Sequence, residues 1–291
     1  MDVLVVGALH HDVIVNASRL PELDETLKGQ SVAYALGGKG GNQALSAARH
    51  GARTAFAGAV GGDAAGHSMV TMLQAGGVET SQIRVDQTLP SGMSVAIVTA
   101  NGDYGAVIVS AANDAMNAEP ILIPAGLKWL ILQNEVLPEI NLTIAKKASK
   151  SGAKIILNAA PARELEVKLI ELVDVLIVNR IEAKALGNTL FENQTTIIET
   201  RGGDGANLLP KGGGSAFIPA FKVPVVSTHG AGDCFVGALA ARLCVDDDLN
   251  SATAYASAAA ALHVSSSIRA RADITPNDVF KLMESRHANG H

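Results

Sequence analysis

Apolar and polar positions follow two different rhythms along this chain. In the first, short uninterrupted apolar runs end on a polar or glycine residue: Val3-Leu4-Val5-Val6 before Gly7, Trp129-Leu130-Ile131-Leu132 before Gln133-Asn134-Glu135, Ile155-Ile156-Leu157 before Asn158, Val175-Leu176-Ile177-Val178 before Asn179, and Thr196-Ile197-Ile198 before Glu199-Thr200. Runs of this kind suit strands buried on both faces, and helical stretches separate most of them. The pattern predicts an α/β fold, a Rossmann-like and mostly parallel sheet with helices on both faces, whose strands all deliver polar residues to one rim. Thr54 to Val60 reads as a further strand and Ala64 to Ala75 as a helix stopped by Gly76-Gly77. The last third reads as helical, from Asp233 to Cys244, from Leu249 to Val264, and from Pro276 with Thr275 as its cap.

The second rhythm is a short alternation, seen from Ile14 to Leu36 and again from Ser94 to Thr99 and Gly105 to Val109 around Asn101-Gly102. Period-two alternation about a turn signal predicts strands of a small separate sheet. We expect residues 12–36 and 92–112 to form a β-sheet lid over the rim of a single domain spanning 1–291. A lid would keep water from a reactive group, although a structural β-appendage would carry the same pattern.

Composition narrows the class. The 291 residues are 48% hydrophobic and 18% charged, as in a folded protein with a large core. A net charge of −5 with 3% aromatics argues against a nucleic-acid surface, and no apolar run approaches membrane-spanning length. Cys234 and Cys244 lack zinc-site spacing and read as small core residues in a reducing compartment. The absence of a basic leader before Val3 makes the cytoplasm the expected location.

Two glycine-rich segments carry the candidate chemistry. Ser227-Thr228-His229-Gly230-Ala231-Gly232-Asp233 precedes a small-residue helix, so its backbone N–H groups and the helix dipole can form an anion hole beside a carboxylate. Asp233 could accept a proton from a hydroxyl there, or merely cap the helix. Gly37-Gly38-Lys39-Gly40-Gly41-Asn42-Gln43 opens another helix, stopped by Gly51. It is neither a P-loop, since nothing hydroxylated follows Lys39, nor a dinucleotide fingerprint, since Gln43 stands where the last glycine belongs. Four glycines would let a ligand approach the backbone, and Lys39 and Asn42 offer hydrogen bonds to a sugar. Asp12, placed beyond the end of the first strand, could hold a substrate hydroxyl or cap its own turn.

Taken together, in this order and on this pattern, the two segments are similar to those of the ribokinase family, the PfkB-type carbohydrate kinases, and the resemblance covers nearly the whole chain. It implies ATP-dependent transfer of the γ-phosphoryl group to the primary hydroxyl of ribose or a ribose-like sugar. By resemblance, Asp233 is the catalytic base, while Gly230, Ala231 and Gly232 stabilise the transition state. Asp12, Gly38, Lys39, Asn42 and Glu135 match sugar-binding positions. Asn179, Thr200, Gly202 and Gly205, with Gly230 and Gly232, match nucleotide-binding positions, and Glu182 in Asn179-Arg180-Ile181-Glu182 matches a residue that organises Mg²⁺ through water. Residues Asn158 to Glu164 strengthen the likeness. A homodimer joined through the lid is a further implication.

Three departures refine these expectations. His10 stands where the family commonly has Asn, which leaves the sugar open. Ser227 replaces the Asp of the family's monovalent-cation site, and Ser266 to Ala272 lacks its Gly-Ala turn, so the rate is expected to be largely independent of K⁺. Residues 180–194 give a short crossover, which would leave the adenine side more open. Competing readings are a nucleoside, other ketose or acid-sugar kinase, a non-catalytic sugar-binding homologue, and a nicotinamide oxidoreductase, the last disfavoured by the missing glycine fingerprint.

Overall fold

A computed structural model describes residues 1–99, 104–187 and 195–288; the Asn101-Gly102 turn and the 188–194 part of the short crossover lie outside the described residues. In chain order the elements are β1 (Val3–Val6), β2 (His10–Ala17), β3 (Ser31–Gly37), α1 (Lys39–Arg49), β4 (Thr54–Gly61), α2 (Ala64–Ala75), β5 (Glu79–Asp86), β6 (Met93–Thr99) and β7 (Tyr104–Val109). Then come β8 (Trp129–Gln133), α3 (Pro138–Lys150), β9 (Lys154–Asn158), α4 (Val167–Ile170), β10 (Val175–Asn179), α5 (Arg180–Leu186), β11 (Thr196–Thr200), β12 (Gly205–Leu209) and β13 (Ala216–Pro219). Three helices end the chain: α6 (Ala231–Leu243), α7 (Leu249–Ser265) and α8 (Pro276–Ala288).

Nine strands form the main sheet in the order β13-β12-β11-β10-β9-β8-β1-β4-β5. Pairing is parallel from β5 to β11 and antiparallel at the β11–β12–β13 edge. The apolar runs feed both faces alternately, as strand geometry requires. Val3, Val5, Ile131, Ile156, Ile177 and Ile198 join one core with α1, α6 and α7. Leu4, Val6, Leu130, Leu132, Leu157, Leu176 and Val178 join the other with α3 and α4. The mostly parallel, doubly covered sheet is thus the one the apolar pattern implies. Strand β5 escaped it because Glu79-Thr80-Ser81-Gln82 lies on a partly exposed edge and needs no apolar run.

The parallel register lines up Gln133 with Asn158 and Asn179 with Thr200, so the strands' polar ends share one rim. A separate four-stranded sheet, β3-β2-β6-β7, has a parallel central pair and antiparallel outer pairs. Val13 pairs with Tyr34 and Val95, Val95 with Val107, and Val15 with Val32, so these side chains share one face. Asp12, with Ala35 and Ser94, belongs to the opposite face. Asp12 is therefore a strand residue of the small sheet, not a turn residue at the end of β1. Among the described residues, no helix is long and apolar enough to cross a membrane.

Candidate active site

The site is fixed by the crossing of α1 and α6. A Cβ on Gly237 would meet the Gln43 carbonyl oxygen at 2.5 Å and the Ser46 Cβ at 2.5 Å, so only glycine permits this approach. The Ser46 hydroxyl donates to the Cys234 carbonyl at 2.8 Å, pinning the two helices. One turn away, Gln43 Nε2 donates to Asp233 Oδ1 at 2.9 Å. The carboxylate is thereby tied to the helix that follows the first glycine-rich segment.

Gly230 takes the left-handed conformation at φ 75° and starts α6 at Ala231, so Asp233 stands in the first turn and makes no capping hydrogen bond. The capping interpretation of Asp233 does not hold. Burial raises its pKa from 3.8 to about 6, against the opposing pull of Lys39, the Gln43 hydrogen bond and His229. In the loop, the Ala231 N–H already donates to the Thr228 carbonyl at 3.2 Å, so Gly230 and Gly232 supply the amides not engaged in that turn.

Two adjoining cavities open here. One, of about 330 Å³, is lined by Lys39, Asn158, Asn179, Glu182, Thr200, Gly202, Gly230, Ala231, Gly232 and Asp233. The other, of about 320 Å³, shares Thr200, Gly202 and Gly232 but is walled by Phe221, Val223, Val225, Ala260 and Val264, with Gly205 at its edge. A Cβ at Gly202 or Gly232 would meet no protein atom within 4 Å, so both backbones border open space. An apolar slot running into a polar, amide-headed cleft fits the shape and polarity of a nucleotide.

Asp12, Gly38, Asn42 and Glu135 do not line these cavities, and Glu135 feels the charges of both Lys39 and Asp12. The Lys39 N–H donates to Glu135 Oε2 at 2.6 Å, and the Lys39 ammonium exerts its field on Glu135, Asp233 and Glu182 alike. Burial raises the pKa of both Asp12 and Glu135. The imidazole of His229 comes within 4.0 Å of Asp12, so the small sheet meets the second glycine-rich loop. Asn42 is half-buried on α1, its N–H donating to the Gly38 carbonyl at 3.1 Å.

In the first glycine-rich segment the missing side chains also serve the protein's own packing. A Cβ on Gly37 would lie 2.0 Å from Asp12 Oδ1, one on Gly38 2.5 Å from the Ala8 oxygen, one on Gly40 3.0 Å from Gly7, and one on Gly41 2.6 Å from Leu9. The protein's own atoms fill the space at all four. The missing Cβ atoms thus let α1, the turn after β1 and the Asp12 carboxylate approach one another closely.

Asn179 and Glu182 close a capping box at the start of α5. The Asn179 N–H and Nδ2 donate to Glu182 Oε2 and Oε1 at 2.7 and 2.8 Å, and burial raises the Glu182 pKa. Both carboxylate oxygens thus have protein donors, and among the described residues no cluster of three His, Cys, Asp or Glu stands ready for a metal ion. Such a carboxylate suits contact with a hydrated ion better than direct ligation. Sequence reasoning missed two residues, Gln43 and Arg271. A long amide side chain among the small residues of α1 was the available signal for Gln43; for Arg271, whose contacts are with distant backbone carbonyls, there was none.

Residues 1–271 match the model of the pfkB family carbohydrate kinases. The chain is 33% identical over 294 residues to a ribokinase of Bacillus subtilis (strain 168), covering 97% of this chain and 99% of that protein. It is 32% identical over 264 residues to a ribokinase of Mus musculus, covering 82% and 80%. A solved Arabidopsis thaliana ribokinase, complexed with ribose and ATP, superposes with a TM-score of 0.89 at 26% identity, covering 97% of this chain and 98% of that one. A family match over residues 1–271, relatives above 30% identity, and a glycine-headed helix that presents a buried carboxylate to a polar cleft agree: the chain belongs to the pfkB family of carbohydrate kinases, phosphotransferases whose acceptor is an alcohol.

Proposed function

We propose that this chain transfers the γ-phosphoryl group of ATP to the primary hydroxyl of ribose or a ribose-like sugar. The observation that carries the reading is Asp233: a buried carboxylate, held by Gln43, on the first turn of a helix whose leading glycine amides border the same cleft. With a pKa of about 6 it is mostly ionised at neutral pH and still basic enough to take the hydroxyl proton as the new P–O bond forms. The loop amides of Gly230 and Gly232, and the helix dipole behind Ala231, stabilise charge on the migrating phosphoryl group.

Asp12, Glu135, Asn42, Lys39 and the Gly38 backbone hold sugar hydroxyls on one side of Lys39. On the other side Asn179, Thr200, Gly202 and Gly205 hold the nucleotide, with adenine in the slot beside Phe221 and Val225. Mg²⁺ accompanying ATP supplies charge neutralisation, and Glu182 would orient its water ligands. The ribokinases of Bacillus subtilis and Mus musculus, and the ribose and ATP of the Arabidopsis thaliana structure, support this choice of substrates.

The small sheet reads as a lid of the single domain 1–291, because its Asp12 face turns toward the site. Its other face leaves Val32, Tyr34, Val95, Val107 and Val109 exposed, an apolar surface suited to a homodimer. Free, buried Cys234 and Cys244 accord with a reducing cytoplasm. The test is ADP release on a panel of sugars and nucleosides with Mg·ATP. Ribose or a close pentose should give the highest kcat/KM; sugar binding with no turnover anywhere on the panel would refute the kinase assignment. Sedimentation should show a dimer that Val95→Glu dissociates.

A further inference from the structure

Behind the Ser227–Gly232 loop, on the side away from the cleft, lies a buried guanidinium. Arg271 follows α7 and is 7% exposed. Its Nη2 donates to the Ser227 carbonyl at 2.9 Å, Nη1 to the His229 carbonyl at 3.0 Å and Nε to the His263 carbonyl at 3.0 Å. Among the described residues no carboxylate forms an ion pair with it, and burial alone lowers its pKa. A buried cation compensated only by backbone carbonyls is costly, and an arginine needed only for packing would be cheaper as an apolar residue.

The geometry gives the cost a use. In a trans peptide the C=O and N–H point opposite ways, so drawing the His229 carbonyl toward Arg271 turns the Gly230 N–H away from it, toward the cleft. The charge also polarises that peptide, strengthening any hydrogen bond its N–H makes to an anion. His263 Nε2 donates to the same His229 carbonyl at 2.9 Å, but burial drops the His263 pKa to about 4, so that contact carries no charge near neutral pH. Among the described residues, only Arg271 brings a full positive charge to these oxygens.

We propose that Arg271 is a positioning residue for phosphoryl transfer: its guanidinium is a built-in cation that holds and polarises the anion-hole loop, a task that converging carbonyls could otherwise give only to a bound monovalent ion. The proposal rests on the kinase reading above. It predicts that the chain needs no external cation at this point and that a cavity left by the side chain will accept one, since carbonyl oxygens are good ligands for such ions.

The experiment compares the parent protein with Arg271→Ala, in Na⁺ buffer, on the best sugar of the panel. A parent without turnover would refute the kinase reading itself; an active parent isolates the role of Arg271. The parent rate should be unchanged when K⁺ replaces Na⁺. For Arg271→Ala, kcat should fall by about 10²-fold, as when charge stabilisation of an anion hole is lost, while KM for the sugar stays within about threefold. Millimolar guanidinium or K⁺ should restore at least about a tenth of the parent kcat, and urea, its neutral near-isostere, should not. Equal rescue by urea, or a kcat within threefold of the parent, overturns the proposal. If Arg271→Ala does not fold, Arg271→Gln, which keeps donors but not charge, and Arg271→Lys are compared: Gln matching the parent would overturn it, and Lys exceeding Gln by about tenfold or more would support it.

Discussion

Replacing Asp233 with Asn removes one charge from a buried carboxylate of the site and changes its shape very little. Gln43 Nε2 keeps an oxygen to donate to, so the contact between α1 and α6 survives. Activity should fall by about 10²–10⁴-fold, the range assigned to general base catalysis. Stability should move the other way. Because burial raises the pKa from 3.8 to about 6, the folded state keeps its proton where the unfolded state has lost it. Stability contributed by the protonated group is therefore full below 3.8 and is lost as pH rises through about 6. At about 1.4 kcal/mol per tenfold change in proton affinity, the ionised carboxylate costs about 3 kcal/mol at pH 7. An incompletely paired Asn amide takes back about 1 kcal/mol or more, leaving a net gain of about 1–2 kcal/mol. Urea denaturation should show this gain at pH 7 and show it shrinking toward pH 5, alongside coupled ADP-release assays. A variant no more stable than the parent across that range, or one whose turnover stays within tenfold, would refute the reasoning.

Other expectations follow from the same contacts. Gln43→Leu removes a donor that holds the Asp233 pKa down, so the acid limb of the kcat/KM profile should shift to higher pH, with a greater loss at pH 6 than at pH 8. Gly37→Ala would place a methyl 2.0 Å from Asp12 Oδ1, so the carboxylate must move; sugar KM should rise by about tenfold or more while KM for ATP changes little. Glu182→Gln keeps one acceptor for the two Asn179 donors and removes the charge that would face hydrated Mg²⁺, so the Mg²⁺ concentration for half-maximal rate should rise several-fold with sugar KM unchanged.

Much of this was legible in the chain itself, because the relevant signals are local. An apolar run buried on both faces declares its strand, and Gly230-Ala231-Gly232-Asp233 specifies a helix start with a carboxylate in its first turn wherever it is placed. Strand β5 and the strand placement of Asp12 were not legible: an exposed edge and a polar residue on a small sheet lack any such run. The glycines of the first segment were visible, but not their purpose, since what a missing Cβ makes room for depends on which distant backbone arrives there; here it is Ala8, Gly7 and Leu9, together with the Asp12 carboxylate.

Spacing and residue type alone thus implied the layered sheet and a glycine-headed helix with a carboxylate in its first turn. Only the tertiary structure decided that Gln43 grips Asp233, that the Lys39 charge reaches Glu135, Glu182 and Asp233, and that Arg271 donates to the carbonyls of Ser227 and His229. Those contacts join residues 190, 42 and 44 positions apart. Over such separations, helix crossing and sheet order, not sequence proximity, choose which groups share a desolvated space, and it is desolvation that gives each charge its strength.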